Sequence, residues 1–426
     1  MAAGDGQAGE QAIEERVYAA EGRDLCLFLV AGEHSGDALG ARLMAALNDR
    51  LPGRVRYLGV GGELMAEQGL ASQFPMEEVA VMGLGAILPR LPAILRRIHA
   101  TAAAAVAAEP DALVIIDSPE FTHPVARRVR RRRGEIPIID YVSPSVWAWR
   151  PGRARRMRGY IDHVLALLPF EPEAHQRLGG PPCTYVGHPL IERVPWIGAL
   201  DAAPLAQRLA LPADSHLLAV LPGSRPSEVK RLMGPFGETL ARLMQRGRKF
   251  EVVIPVVPAV RALVEHHLLA WPKVPTLLEG EDDKFRAFKL ARAALAASGT
   301  VTLELAMAGT PMVVAYKVDA VMAPVLRRMI KSPTVVLPNL VLGERAFPEL
   351  LQERCTPARL AGALAPLLDD GPVRARQLAA LARVPDRLRL AHGTPSEAAA
   401  DVVLDYAEWG RGWPRPRARP RLGRPG

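Results

Sequence analysis

Several short motifs carry side chains whose chemistry makes sense only around a bound partner. Ile115-Ile116-Asp117-Ser118-Pro119-Glu120-Phe121 ends an apolar run in a carboxylate. At a strand end, Asp117 is placed either to take a proton from an attacking hydroxyl or to cap the following helix. Leu221-Pro222-Gly223-Ser224-Arg225 joins backbone and hydroxyl donors to a guanidinium fork. That set suits a diphosphate whose negative charge grows as a bond breaks. Ala297-Ser298-Gly299-Thr300-Val301-Thr302-Leu303-Glu304 reads as a strand meeting a helix through a turn with free amides. Ser298, Gly299 and Thr300 would cradle an anion there, aided by the positive end of the helix. Glu304 falls on the same helical face as Thr300, one turn on, where a carboxylate can accept bonds from two ribose hydroxyls. A capped helix with an exposed Glu is the plainer alternative. Finally, Ala31-Gly32-Glu33-His34-Ser35-Gly36-Asp37 is a turn in which glycines allow close approach and Ser35 or Asp37 caps a helix. No Gly-Lys-Ser/Thr follows, so it is not a Walker loop.

These motifs must be held by the elements around them. Leu25–Val30, Val55–Val60, Ala112–Ile116, Ile136–Val142 and His163–Leu167 read as short buried strands separated by helical stretches. The pattern restarts with Leu217–Leu221, Phe250–Val256, Ala293–Ala296 and Met312–Tyr316. Continuous apolar runs of this length, alternating with helices, predict parallel sheets covered on both faces. The chemically active residues mostly sit at the carboxyl ends of those strands, where open α/β sheets collect ligands. Gly187–Pro212, rich in Pro, is the expected linker.

Bulk properties agree with two domains. A chain of 426 residues is long for one, and a hydrophobic content of 49% supplies a core to each half. Aromatics are only 5%, so Ala, Leu and Val must build those cores. Cys26, Cys183 and Cys355 show no spacing for zinc or disulfides and read as reduced thiols. No cationic segment followed by an apolar stretch marks a signal peptide, and no run of about 18 apolar residues marks a membrane span. The net charge of +9 is concentrated in Arg127–Arg133, Arg153–Arg158 and an Arg/Pro-rich tail from Arg411. Such blocks are solvated helix faces or attract nucleic acid, anionic lipid or phosphorylated substrates. Val79–Ile98, with Arg96 and Arg97, and Met322–Ile330, with Arg327 and Arg328, pair apolar residues with cations. Both fit core packing, or acyl-chain contact beside anionic lipid. Trp147 and Trp149 have three uses open to them: packing, stacking on a sugar, or anchoring at an interface.

Taken in order and spacing, the motifs resemble the lipid-A-disaccharide synthase family over about Leu25–Leu390. The resemblance extends to Gly59-Val60-Gly61-Gly62-Glu63-Leu64-Met65, Ser143-Pro144-Ser145-Val146-Trp147-Ala148-Trp149, Leu168-Pro169-Phe170-Glu171, Val186-Gly187-His188-Pro189 and Val336-Leu337-Pro338-Asn339-Leu340. It implies an α/β protein of the GT-B type, with two Rossmann-like open parallel-sheet domains facing a cleft. The expected division is an extension over 1–24, an acceptor- and lipid-side domain over 25–195 and a UDP-sugar domain over 196–390. A terminal helix over 391–410 and a tail over 411–426 complete it. The implied reaction is inverting transfer of 2,3-diacylglucosamine from UDP-2,3-diacylglucosamine to 2,3-diacylglucosamine 1-phosphate, giving a β-1,6 disaccharide and UDP.

By the same resemblance, Asp117 is the general base, and Ser224, Arg225, Ser298, Gly299, Thr300 and Glu304 bind UDP. Glu33, Ser35 and Asp37 line the acceptor side, with Asn339 a further substrate-site residue. Neither a metal nor any other cofactor is implied. The expected setting is the cytoplasmic surface of the inner membrane, with no nucleic-acid partner and room for a homodimer. His34, Glu120, Thr122 and Pro226 depart from the family pattern, and none carries an assigned role. The rival readings are another GT-B enzyme, such as a peptidoglycan-precursor transferase or UDP-sugar epimerase, and a non-catalytic basic nucleic-acid-binding protein.

Overall fold

The computed structural model describes residues 24–79, 84–212, 215–319, 323 and 332–410. Two parallel sheets follow one another along the chain. The first contains β1 (Leu25–Ala31), β2 (Val55–Val60), β3 (Ala71–Ser72), β4 (Ala112–Ile116), β5 (Ile138–Tyr141), β6 (His163–Ala166) and β7 (Cys183–Tyr185). Its order is β3-β2-β1-β4-β5-β6-β7. The second contains β8 (His216–Leu221), β9 (Phe250–Pro255), β10 (Thr276–Leu278), β11 (Ala291–Ala297), β12 (Met312–Tyr316) and β13 (Glu349–Leu351). Its order, β10-β9-β8-β11-β12-β13, repeats the first without the seventh strand.

Helices of the first half are α1 (His34–Arg50), α2 (Glu63–Glu67), α3 (Leu84–Ala108), α4 (Thr122–Arg132), α5 (Gly152–Met157) and α6 (Glu171–Arg177). A 3-10 turn at Pro189–Arg193, α7 (Val194–Ala199) and α8 (Ala203–Arg208) lead into the second half. There α9 (Pro226–Gln245), α10 (Arg261–Leu268), α11 (Glu281–Leu290), α12 (Val301–Met307), α13 (Leu337–Leu342), α14 (Pro357–Leu368) and α15 (Pro372–Leu388) surround the sheet. The last helix is α16 (Pro395–Gly410).

The central strands are apolar throughout because both faces are covered. In β1, Leu25, Leu27 and Leu29 enter one core cluster while Phe28 and Val30 enter the other. In β8, Leu217, Ala219 and Leu221 likewise face one cluster, and Leu218 and Val220 the opposite one. Each fully buried Leu side chain contributes about 1.5–3 kcal/mol through removal from water. Among the helices, α9 shows why its sequence folds so: Pro226 starts it, and Val229, Leu232, Met233, Phe236, Leu240 and Leu243 form one buried stripe.

The expected linker, Gly187–Pro212, is folded rather than extended. Leu190, Ile197 and Leu205 belong to a core of the second half. The chain then returns: Ala399, Ala400, Val403, Tyr406 and Ala407 of α16 lie in the first core. The Tyr406 hydroxyl lies 3.0 Å from His163 Nδ1, and Arg50 pairs with Asp401 at 2.9 Å. Glu192 gathers Arg42 of α1 at 3.3 Å and the Ser396 hydroxyl at 2.8 Å, so the crossing segments are tied together.

The apolar segments fare differently. In α3, Ile98 is buried, whereas Leu91 and Leu95 are exposed. Arg97 pairs with Glu78 at 2.7 Å and lies over the Phe74 ring. Val81 and Met82, Met322 with Val325–Ile330, and the Arg/Pro tail from Arg411 lie outside the described residues. Much of the first Arg block serves the fold: Arg127 bonds to the Tyr160 hydroxyl, Arg130 pairs with Asp162, and Arg133 pairs with Glu109.

Candidate active site

In each sheet the strand order reverses between two central neighbours, β1 and β4 in the first and β8 and β11 in the second. Loops leaving these neighbours run in opposite directions and open a crevice at their carboxyl ends. The four chemical motifs occupy those positions. Gly32–Ser35 follows β1, Asp117–Ser118 follows β4, Pro222–Arg225 follows β8 and Ser298–Thr300 follows β11.

The first crevice is carboxylate-rich. Asp117 Oδ2 accepts a 2.8 Å hydrogen bond from the Ser35 hydroxyl, and Oδ1 accepts one of 2.8 Å from the Ser118 amide. The backbone is unusual here, with φ of 53° at Asp117 and 43° at Ser118. Non-glycine residues hold such angles only when their surroundings enforce them. The enforcement is visible: the Asp117 amide donates to Tyr141 O at 3.0 Å, and the Thr122 hydroxyl donates to Asp117 O at 2.7 Å. Glu33 lies alongside. Its carboxyl is pushed above the usual range by burial and then by the Asp117 charge, against the opposing pull of Arg225. Arg225 belongs to the second half, and its charge acts on Glu33 of the first.

The second crevice is rich in donors. Arg225 is exposed, yet its guanidinium is steadied by Glu228 at 3.2 Å, and the same carboxylate accepts the Arg225 amide at 3.4 Å. Gly223, with φ of 115°, leaves room for that carboxylate; a Cβ there would meet Glu228 Oε2 at 2.4 Å. After β11, the Thr302 and Leu303 amides are taken by the carbonyls of Gly299 and Thr300. Gly299 faces open space. Glu304 is mostly buried and pairs with Lys284 at 3.1 Å.

Some expected residues have other work. Asp37 caps neither its own helix nor an open cleft. It is buried, and accepts the amides of Gly62 at 2.8 Å, Leu64 at 3.1 Å and Met65 at 3.1 Å, fastening α2 to α1. Nor does Ser35 cap α1: Glu33 stands at the cap position, with no side-chain cap bond. The Ser298 hydroxyl donates to Val335 O at 2.7 Å and its amide to Ala315 O at 3.2 Å, so both of its donors hold the turn in place. Asn339 is buried, donates to Phe347 O at 2.9 Å and accepts the Phe347 amide at 2.9 Å, so it shapes the loop after α13. Trp147 packs edge-on against Phe170 and donates to Glu171 at 3.0 Å, while Trp149 lies under Arg150.

Sequence reasoning quoted Glu171 only as part of a motif, with no role of its own, and passed over Lys284. Glu171 is buried at the start of α6, and burial pushes its carboxyl up to about 7 despite hydrogen bonds from the Leu168 amide and Trp147. Its Phe-Glu-Pro context is an ordinary helix start, and only the tertiary structure shows its burial. Lys284 stands 20 positions before Glu304, too far along the chain for local spacing to connect them.

Two parallel α/β sheets of matching order define a GT-B protein. UDP-GlcNAc 2-epimerase from Neisseria meningitidis, solved with UDP-GlcNAc bound, has this fold at a TM-score of 0.61 and 11% identity, covering 89% of this chain and 98% of its own. MurG from Acinetobacter baumannii superposes at 0.52 with 14% identity, over 89% of this chain and 99% of its own. The family of lipid-A-disaccharide synthetase matches residues 27–401, and the chain belongs to that family of glycosyltransferase enzymes. The lipid-A-disaccharide synthase of Rhodopseudomonas palustris strain HaA2 is 55% identical over 379 residues, 89% of this chain and 95% of the relative. That of Rhodospirillum centenum is 46% identical over 383 residues, 90% and 95% of the two chains.

Proposed function

We propose that the protein transfers 2,3-diacylglucosamine from its UDP derivative to the 6-hydroxyl of 2,3-diacylglucosamine 1-phosphate. The observation that carries the reading is the Ser35-oriented Asp117 carboxylate at the switch point of the first sheet, with Arg225 at the equivalent strand end of the second. A hydroxyl nucleophile needs a base on one side, and a departing diphosphate needs positive charge on the other. The acceptor oxygen bonds to the anomeric carbon as the bond from that carbon to the diphosphate oxygen breaks. Asp117 takes the hydroxyl proton, and the electron pair leaves with UDP. Attack from the face opposite the leaving group inverts the centre and gives the β-1,6 linkage.

Ser35 orients Asp117 through its 2.8 Å hydrogen bond, and Glu33 and Ser35 line the acceptor side. Ser224, Arg225 and the loop from Ser298 to Thr300 hold the diphosphate, and Glu304 accepts the ribose hydroxyls. Asp37 and Asn339 act indirectly, by fixing the loops beside the two crevices.

We also propose that the enzyme works as a peripheral protein on the cytoplasmic side of the inner membrane. Exposed Leu91, Leu95 and Arg96 on α3 support surface contact. Among the described residues no helix is long and apolar enough to cross a membrane. The test is direct: purified protein receives both diacylated substrates in detergent micelles. UDP and tetraacyl disaccharide 1-phosphate should appear in equal amounts by mass spectrometry. Failure to consume diacylated UDP-glucosamine rejects the substrate assignment.

A further inference from the structure

The second half holds a row of alternating charges that leads from the interdomain segment to the nucleotide crevice. Arg193, at the end of the 3-10 turn, pairs with Glu281 at the start of α11. Glu281 in turn pairs with Lys284, one turn along the same helix. Lys284 Nζ lies 3.2 Å from Glu304 Oε1 and 3.1 Å from Oε2, so it straddles the carboxylate. Both partners of this last pair are largely withdrawn from solvent, with 19% and 18% of their side chains exposed. Aromatic faces support the row from beneath: Lys284 lies 4.9 Å from the Phe285 ring centre, and Arg193 lies 4.6 Å from that of Trp196.

From this geometry we infer that Lys284 is a positioning residue for the nucleotide's ribose, acting through Glu304. The inference rests on the proposed role of Glu304 as the ribose-binding acid. An ionised carboxylate has about four lone-pair sites. An ammonium shared between the two oxygens engages one site on each and leaves the others open. What remains is a pair of acceptors with the spacing of a vicinal diol, held at a fixed angle. Lys284 also offsets the cost of keeping Glu304 charged where water is scarce. Arg193 and Glu281 restrain Lys284 itself. Burial pushes Glu281 upward, but the hydrogen bonds from Lys284 and Arg193 outweigh it and hold its carboxyl below the usual range. A flexible, lone lysine would not present Glu304 in one orientation.

The test reads diol recognition rather than stability. Calorimetry would compare UDP with 2′-deoxy-UDP on wild type, Lys284→Met, Lys284→Arg and Glu304→Gln. Wild type should favour UDP by roughly tenfold or more, as expected for one hydrogen bond to a charged acceptor. Glu304→Gln should lose most of that preference. Lys284→Met should lose most of it too and bind UDP more weakly, while Lys284→Arg restores it. Should Lys284→Met melt early, Lys284→Gln is read for the same ratio. If Glu304→Gln loses the preference but the Lys284 variants keep it along with wild-type UDP affinity, the inference is overturned and the ribose assignment stands. If Glu304→Gln itself keeps the preference, the ribose assignment falls and the inference with it.

Discussion

The turns after β4 and β11 occupy equivalent places in two sheets of matching order, yet they solve the chain reversal differently. After β4, Asp117 and Ser118 take positive φ angles of 53° and 43° although neither is glycine. After β11, Ser298 is followed by Gly299, which takes φ of 156° without that strain. A turn that must present a side chain keeps one and bears about 1–3 kcal/mol of backbone strain per residue. A turn that must present backbone amides uses glycine. In the proposed mechanism the first crevice takes a proton and the second holds an anion.

The contrast can be broken from either side. The largest effect is expected at Asp117→Asn, which keeps the shape and removes the proposed base. Turnover in the disaccharide assay should fall about 10²–10⁴-fold, the usual share of general base catalysis. Next is Arg225→Met, which should lower turnover about 10²–10³-fold by removing charge where the diphosphate leaves.

Glu171 probes the seam, because Trp147, which it holds, packs on the core of the second half. Its carboxyl binds a proton more tightly in the folded chain, at about 7, than the ordinary value of 4.5. That contribution to stability is complete below pH 4.5 and is lost as pH rises through 7. Denaturant unfolding across this window should show wild type losing stability relative to Glu171→Gln, by on the order of 3 kcal/mol. A flat difference would remove Glu171 from the account. The smallest effect is expected at Gly223→Ala. Its positive φ and the clash with Glu228 should lower stability by about 1–3 kcal/mol and weaken UDP binding.

The architecture was legible in the sequence wherever a strand is central. Val55–Val60, Ala112–Ile116 and Met312–Tyr316 are observed at the bounds their apolar runs suggest. The strands that escaped notice, β3, β7, β10 and β13, are all edge strands of two or three residues, with too few buried positions to make a pattern. The site divides in the same way. Asp117 and Arg225 are readable because each stands at the end of an apolar run. Asp37 and Asn339 look like ligands in one dimension, but their partners, the amides of Gly62 to Met65 and the backbone of Phe347, arrive only when the chain folds. Lys284 was invisible for the converse reason, since nothing near it in sequence points to Glu304.

The division between a proton-accepting half and an anion-holding half is tested most directly by UDP affinity, measured calorimetrically on Asp117→Asn and Arg225→Met alongside wild type. Asp117→Asn should bind UDP as wild type does, while Arg225→Met should bind it roughly tenfold or more weakly, as loss of a charge-assisted contact implies. Equal loss of UDP affinity in both variants would contradict that division.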